Sequence, residues 1–250
     1  MHSHGRIVAA VRRGRTEFSE LRSSPPITLR RIGPNAVAIV SSAAWPVGGD
    51  TFRLDVEVGA GAAVTVTSVA ASMAHPSPGD ARSTFEVVAD VADGADLRWL
   101  PEPTVLVAGC DHATSSSVRL AATASLSWRE EVRLGRWNEP SGSLNQRTSI
   151  ERAGRPLLRN EIDLGPAWVG SASPAAIDPR HVAIGTAVRV GSASAAAEAQ
   201  TGPELSWAAH PLDCDATSWT VLSTRMSTMR STLAALSSAD RASEPGRLAH

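Results

Sequence analysis

The amino-acid sequence predicts an all-β protein with few helices. Apolar and polar residues alternate with a period of two in several segments, which is typical of strands with one buried face. Turn-forming residues interrupt these segments about every ten to fifteen residues, and only one segment, near the C-terminal end, has a helical pattern. This spacing fits a sandwich, a barrel or a stack of short sheets, and it does not fit alternating strands and long helices.

The clearest predicted strand is Thr51–Val58. Its apolar residues fall on one face and its polar residues on the other. The apolar face consists of Phe52, Leu54, Val56 and Val58. A turn with the sequence GAG at residues 59–61 separates this strand from a second alternating segment at residues 62–72. Two neighbouring strands are therefore predicted in this part of the chain.

Further strands are predicted in the second half of the chain. Residues 118–128 give the longest alternation and predict one continuous strand. Residues 148–151 and 157–164 flank a glycine-containing loop at residues 152–155, which is typical of a β-hairpin. Residues 182–190 predict another strand.

The helical segment covers residues 218–237, and Asp215 or Thr217 is expected to cap its N-terminus. The sequence shows no convincing domain boundary, so a single domain is predicted over residues 1–240. The last residues, 241–250, are expected to form a frayed tail.

Composition narrows the class of protein. The chain has 250 residues and a formal net charge of −1, so it lacks the global basic field of a nucleic-acid-binding protein. Its two cysteines, Cys110 and Cys214, are far apart and indicate neither a disulfide framework nor a zinc knuckle. The N-terminal segment does not have the pattern of a signal peptide, and no apolar run is long enough to cross a bilayer. A cytoplasmic location is therefore expected.

No specific catalytic motif is found. The sequence contains no GxSxG, Walker A or HExxH pattern, and no GxGxxG after a strand. Glu130 and Glu131 are adjacent, so in a strand they point to opposite faces and cannot act as a paired acid and base. The seven tryptophans are interpreted as core residues or as anchors at an interface.

Three groups of residues could bind a metal ion. His2 and His4 are either a weak ligand pair or part of a disordered tail. Cys110, Asp111 and His112 are either a ligand group on a strand or a buried cysteine beside a surface loop. A second loose cluster is formed by His210, Asp213, Cys214 and Asp215, with the same two interpretations.

Four segments together resemble one protein family. They are PVGGD at residues 46–50 with GAGA at 59–62 and VTVT at 64–67, GADLRWLPEPT at 94–104, LGR at 134–136 followed by EP at 139–140 and a glycine at 142, and RPLL at 155–158. In order and spacing they resemble the urease accessory protein UreD, which is called UreH in some bacteria. The first two segments are specific to this family as a pair.

The resemblance implies a fold and a function. The fold would be largely β, with stacked, solenoid-like sheets and few helices. The protein would be a non-enzymatic scaffold that binds the urease apoprotein on one side and UreF on the other, with the GTPase UreG bound through UreF. It would bind no cofactor tightly but would offer an internal polar passage that guides nickel toward the urease active site.

The resemblance also assigns three residues to this passage. Asp50 matches the aspartate of the GGD turn, although a turn-capping role for it is an equal alternative. Thr67 matches a hydroxyl position of the second strand. Glu102 lies in the stretch LPEPT, where the family has LPQET, so the family's glutamate position is occupied by Pro103 here. The carboxylate has then moved by one residue, which in a regular strand would turn it to the opposite side.

Two other classes of function remain open from the residues alone. An all-β hydrolase or carbohydrate-active enzyme could use Asp50 and Glu102 as a carboxylate pair. An adhesion or carbohydrate-binding module is disfavoured by the complete lack of tyrosine. A scaffold that pairs with other proteins is further expected to self-associate when isolated, because its binding surfaces expose apolar residues.

Overall fold

A computed structural model of the chain describes residues 1–79, 81–165 and 180–238. It confirms the all-β fold with a helix near the C-terminal end. The strands are β1 His2–Arg12, β2 Arg15–Arg22, β3 Ile27–Arg31, β4 Ala36–Ser41, β5 Thr51–Val58, β6 Ala63–Ser68, β7 Ser72–Ala74, β8 Ser83–Val91, β9 Asp96–Leu100, β10 Thr104–Leu106, β11 Asp111–Leu120, β12 Ser125–Leu134, β13 Ser143–Arg152, β14 Arg155–Leu164, β15 Ala183–Val190, β16 Glu198–Gln200, β17 Leu205–Asp213 and β18 Ala216–Ser223, and the helix is α1 Met226–Ser237.

The strands form two sheets that face each other. The seven-stranded sheet has the order β14-β13-β11-β8-β5-β1-β2, and the larger sheet has the order β16-β17-β18-β15-β12-β9-β6-β4-β3, with β10 and β7 joined to it through β12. Between β4 and β13 the main strands alternate between the two sheets, and strands from successive coils pair in parallel. This is the stacked, solenoid-like arrangement that the resemblance implies.

The space between the sheets is filled mainly by the apolar positions of the alternating strands. Phe52 and Leu54 of β5 are 2% and 0% exposed, as the period-two pattern predicts. Trp99 of β9 and Trp128 of β12 stack face to face, with ring centroids 4.9 Å apart. Burial of such large side chains is the main favourable contribution to folding of this layered core.

The prediction of one continuous strand over residues 118–128 is wrong. β11 ends at Leu120 and β12 begins at Ser125, and the amide of Ala124 donates to the carbonyl of Ala121 in the turn between them. The alternation nevertheless continues across the turn, because both sheets direct their apolar residues into the same interior. The predicted hairpin at residues 148–164 is confirmed as β13 and β14.

The predicted helix over residues 218–237 is correct only in its second half. Residues of β18 occupy the first part, where tryptophan, threonine and valine favour a strand that pairs with β15. The helix begins at Met226 after Arg225, and no side chain caps it, so neither Asp215 nor Thr217 has the expected capping role. Within the described residues no helix is long and apolar enough to cross a membrane.

The helix packs on the outer face of the larger sheet over a glycine. A Cβ atom on Gly185 of β15 would lie 2.3 Å from the sulfur of Met229 and 2.8 Å from Leu233. Both helix residues are fully buried. A single domain over residues 1–240 stays a prediction, and the predicted tail at 241–250 lies outside the described residues.

Candidate functional site: a polar cavity between the sheets

Within the described residues the packed interior includes a polar region, which surrounds a cavity of about 80 Å³. Strands β11 and β13 of the seven-stranded sheet and β12 of the larger sheet form its polar walls. Its polar lining residues include His112, Thr114, Ser116, Gln146, Glu130 and Glu102. A cavity of this size has room for several water molecules, because each occupies roughly 10–15 Å³ on this measure.

The polar walls arise from the alternation of two strands. In β11 the inward positions change from apolar at Val118 to polar at Ser116. In β13 the inward polar residues Gln146 and Thr148 lie between apolar ones. The neighbouring strand β5 carries apolar residues at the corresponding inward positions, and so does β8 except at Ser83. The polar region is therefore confined to one part of the space between the sheets.

Glu130 of β12 is the central acidic group of this region. Its carboxylate accepts hydrogen bonds from Ser116 Oγ at 2.9 Å, Gln146 Nε2 at 3.0 Å and Thr148 Oγ1 at 2.7 Å. Burial raises the pKa of Glu130, while the hydrogen bonds oppose this rise by stabilising the charged form. The site therefore holds a buried acidic oxygen ligand in a fixed orientation.

Glu131 points to the opposite face of β12, as the sequence predicts for adjacent residues in a strand. Its side chain is fully buried beneath α1. Arg129 Nε lies 3.0 Å from one carboxylate oxygen and Arg230 Nε lies 2.9 Å from the other. Arg230 also pairs with Glu102 at 2.9 Å, so an ionic network connects the helix with the rim of the cavity.

His112 is another titratable group that lines the cavity with most of its side chain buried. Burial lowers the pKa of His112 to about 4, so the ring is neutral near pH 7. Its Nδ1 atom lies 2.9 Å from Ser83 Oγ. Two other lining atoms, Trp45 Nε1 and Thr114 Oγ1, are buried without a hydrogen-bond partner in the described part of the chain, which favours a hydrated cavity.

The cavity adjoins two wider pockets, each of about 260 Å³. It shares Ile39, Trp45, Ser68 and Ser72 with a pocket at the loops before β5 and after β6. It shares Glu130 with a pocket between β14 and the strands β17 and β18, which His210 and Asn160 also line. Glu130 thus lies where two spaces on different sides of the interior meet.

Of the three residues assigned by resemblance, only Glu102 lines this cavity. Asp50 is buried before β5, where its carboxylate accepts from the amide of Val47 at 3.0 Å and pairs with the ammonium of Met1 at 2.5 Å. Thr67 lies on the outer face of the larger sheet and donates to the carbonyl of Leu100 at 2.9 Å. Each has a local structural contact, and their assignment to a passage stays a prediction.

Other ligand groups considered from the sequence have different surroundings. His2 and His4 lie on β1, not in a disordered tail, and contact Thr51 and Asp55. Burial raises the pKa of the Cys110 thiol to about 11, which disfavours the thiolate that a metal requires. In the described ranges no group of three or more histidine, cysteine or acidic residues is arranged to hold a metal ion.

Sequence reasoning missed most of the cavity. Glu130 was considered only as the partner of Glu131, and Ser116, Gln146 and Thr148 were not singled out. The signal was present, since Glu130 stands between Trp128 and Val132 at an inward position of a strand. A charged residue at such a position requires buried hydrogen-bond partners, and this requirement could have identified it.

Comparison with known proteins gives consistent matches. The family model of the UreD urease accessory protein matches residues 1–249. A urease accessory protein UreD of Frankia alni is 39% identical over 200 residues, which are 65% of this chain and 67% of the relative. A UreD of Parafrankia sp. is 38% identical over 72% of this chain and 69% of its own length. The urease accessory protein UreD 1 of Saccharopolyspora erythraea is 42% identical over 160 residues, which are 61% of this chain and 63% of the relative.

Proposed function

Because the chain belongs to the UreD urease accessory protein family, we propose that it is a scaffold for the maturation of urease. It binds the urease apoprotein and UreF, and UreG binds through UreF. The cavity between the sheets is the passage through which nickel moves toward the urease active site. These steps take place in the cytoplasm and require no tightly bound cofactor.

The position of Glu130 is the observation that supports this proposal. Its carboxylate is the acidic group shared by the inter-sheet cavity and the pocket beside β14. The hydroxyl and amide groups around it offer further oxygen atoms, which bind divalent ions more weakly than a cage of histidine and cysteine would. Transient passage requires such weak sites, because an ion must leave as well as enter.

Glu102 and His112 are the other titratable groups suited to contact a passing ion. Glu102 lies at the rim, where Arg230 holds its carboxylate. The neutral ring of His112 can act as a nitrogen ligand, since it does not have to lose a proton near pH 7. Asp50 and Thr67 are proposed to act at the ends of the passage, outside the cavity itself.

We also propose a non-catalytic role, which the surroundings of these carboxylates support. Glu130 accepts hydrogen bonds from three side chains, and the carboxylates of Asp50 and Glu102 have separate partners, Val47 and Arg230. None of these arrangements provides a nucleophile beside a general base. We therefore favour the scaffold over the all-β hydrolase.

The test is a co-expression experiment. The urease subunits, UreF and UreG are produced with the wild-type chain, with Glu130→Ala or with Glu57→Ala as an exposed control, at limiting and at saturating nickel. We expect Glu130→Ala to lower urease activity and bound nickel several-fold at limiting nickel, with recovery at saturating nickel and with partner binding intact. Full activation by Glu130→Ala at limiting nickel would contradict the passage. Full activation without the chain would contradict the scaffold.

A further inference from the structure

A further pocket lies on the outer face of the larger sheet, away from the interior cavity. Strands β9, β12 and β15 form its floor, and the C-terminal end of α1 forms one wall through Ala234, Ser237 and Ser238. Its volume is about 450 Å³. Sites for small molecules typically measure about 300–1,000 Å³, so this pocket is large enough for a small organic ligand.

Three arginines from three neighbouring strands line this pocket. Arg98 of β9 and Arg189 of β15 are both register partners of Ser127 of β12, one on each side. Neighbouring strands lie about 4.8 Å apart, and Arg129 follows two residues after Ser127, about 7 Å along the same face. The fold therefore places the three arginines around one serine.

Two of the three guanidinium groups are held in place by other parts of the protein. Nη1 of Arg189 donates to the carbonyl of Ser237 at the end of α1, at 2.9 Å. Nε of Arg129 lies 3.0 Å from the carboxylate of Glu131. A guanidinium carries five N–H donors, more than these contacts use within the described residues. Both side chains are thus ordered before a ligand binds, which reduces the entropy cost of binding.

The pocket has an excess of positive charge. Its described lining residues include three arginines and one aspartate, Asp96. Glu131 compensates Arg129, but it also pairs with Arg230. Arg98 has an exposed side chain and no hydrogen bond or ion pair within the described residues. At least one guanidinium is therefore available to bind an anion.

The carboxylate of Asp96 acts against an anion in this pocket. Burial raises the pKa of Asp96, and the charges of Arg98 and Arg189 oppose this rise. Both arginines therefore interact with the same carboxylate, and an anion that enters the pocket competes with Asp96 for them. Removal of this negative charge should strengthen the binding of an anion, which provides a test with a defined sign.

The chemistry of the pocket favours a phosphate group as the anion. Guanidinium groups bind phosphate oxygens in pairs of parallel hydrogen bonds. A phosphate monoester carries a charge of about −1.5 to −2 at pH 7, which suits several arginines better than the single charge of a carboxylate. The hydroxyls of Ser127, Ser237 and Ser238 can donate further hydrogen bonds, and Leu100 and Ala187 offer an apolar surface for the rest of a small molecule.

We propose that this pocket binds a phosphate group, free or as part of a small molecule, through Arg98, Arg129 and Arg189. Arg129 and Arg189 provide the preordered part of the site, and Arg98 provides the guanidinium that closes on the ligand from the opposite side of Ser127. The site goes beyond the proposed function and does not depend on it, because the pocket and the cavity lie on opposite faces of β12.

The test is calorimetric titration of the full chain with inorganic phosphate at pH 7.5 and constant ionic strength. Arg98→Ala should weaken binding by at least about tenfold, because it removes hydrogen bonds from a charged donor. Arg98→Lys keeps the charge without the paired donors and should recover part of the loss. Asp96→Asn should bind phosphate more tightly than wild type. Arg30→Ala removes an exposed arginine of β3 and should have no effect.

Two results would overturn the site. They are the absence of saturable phosphate binding to wild type, and equal binding of phosphate to wild type and Arg98→Ala. Acetate that binds as tightly as phosphate would contradict the assignment to phosphate. Circular dichroism should show the same melting temperature for Arg98→Ala and wild type, because the side chain is exposed.

A second titration distinguishes the two sources of the phosphate group. Glycerol 3-phosphate that binds more tightly than inorganic phosphate would identify an organic phosphate as the ligand, and the reverse order would identify the free ion. Either order supports the site. None of these measurements involves urease or its other accessory proteins, so a failure of the phosphate site leaves the scaffold untouched.

Discussion

The guanidinium of Arg230 lies 2.9 Å from the carboxylate of Glu131, whose side chain has no exposed surface. Arg230 belongs to α1, and Glu131 belongs to β12, the strand that also directs Glu130 into the cavity. The same guanidinium pairs with Glu102 at the cavity rim. The helix is therefore coupled to the wall of the cavity by one arginine.

Replacement of Arg230 by alanine should lower the free energy of unfolding by about 2–4 kcal/mol. The substitution leaves the buried charge of Glu131 with Arg129 as its only compensation, and an uncompensated buried charge is strongly destabilising. The value is below that of a fully buried pair because Arg230 is 35% exposed. Urea unfolding provides the measurement, and Arg155→Ala, at an exposed hairpin turn, is the control that should change stability by less than about 0.5 kcal/mol. Equal stabilities of the two variants would contradict this role of the network.

Replacement of Gly185 by alanine should destabilise the contact between α1 and the larger sheet by about 1–3 kcal/mol. The new methyl group would overlap Met229 and Leu233, which are fully buried and have little room to move. Thermal unfolding monitored by circular dichroism gives the measurement. Gly33→Ala is a matched control, because its methyl group would meet only the Cβ of Ala36 at 3.4 Å. An unchanged melting temperature for Gly185→Ala would show that the helix does not pack as described.

The alternation of Phe52, Leu54, Val56 and Val58 predicted β5 correctly, because a half-buried strand leaves a direct trace in the sequence. The same rule predicted one strand instead of two at residues 118–128, and a helical pattern gave the wrong element at residues 218–223. At residues 118–128 the inward residues have even numbers in both β11 and β12, so the alternation continues across the turn that joins the two strands. At residues 218–223 the pairing of β18 with β15 overrides a weak helical pattern.

The candidate site was less predictable than the fold for a physical reason. Glu130 obtains its partners from β11 and β13, which lie in the opposite sheet, and the sequence does not reveal which strands face each other. The resemblance supplied Asp50, Thr67 and Glu102, but only the structure shows that Glu102 alone of these lines the cavity. The local sequence pattern therefore identifies the strands and their inward positions. Which side chains meet in the cavity depends on which strands of the two sheets face each other.

The stability of the protein should fall as the pH decreases from about 6.5 to about 4, in part because of His112. Burial holds the pKa of His112 at about 4, below the 6.5 of an unfolded chain, so the unfolded state binds a proton more readily in this window. The stabilising contribution of the neutral His112 ring is fully present above pH 6.5 and is lost as the pH falls through 4. The shift in pKa between the unfolded and the folded state corresponds to about 3 kcal/mol of stability. His112→Asn keeps a polar atom near Ser83 and should flatten this part of the curve. If stability depended on pH in the same way for wild type and variant, the proposed contribution of His112 would be contradicted.

The isolated chain should self-associate through exposed apolar residues around the pocket at the loops before β5 and after β6. Val69 is 62% exposed and stands beside further exposed small apolar residues. These neighbours are Ala43, Ala44, Ala70 and Ala71. Sizing chromatography over a range of concentrations should show larger species for wild type and fewer for Val69→Glu, whereas Ile32→Glu, at a separate exposed site, should behave like wild type. If the wild-type chain were a monomer at all concentrations, the prediction would be contradicted.

Glu130 should make the protein less stable as the pH rises above about 4.5. Burial raises the pKa of Glu130 in the folded state, so the unfolded chain ionises first and is favoured in the interval between the two pKa values. The stabilising contribution is therefore complete below the unfolded pKa and lost as the pH passes the folded one, opposite in sign to that of His112. Glu130→Gln mimics the protonated form and cannot ionise, although its amide also changes the hydrogen bonds with Gln146 by an amount that does not depend on pH. The measurement is the free energy of unfolding of both proteins from pH 4.5 to 8. We expect the stability of the variant relative to wild type to increase as the pH rises from 4.5 until the pH passes the folded pKa of Glu130. A difference that is constant over the whole range would show that burial does not raise the pKa of this carboxyl.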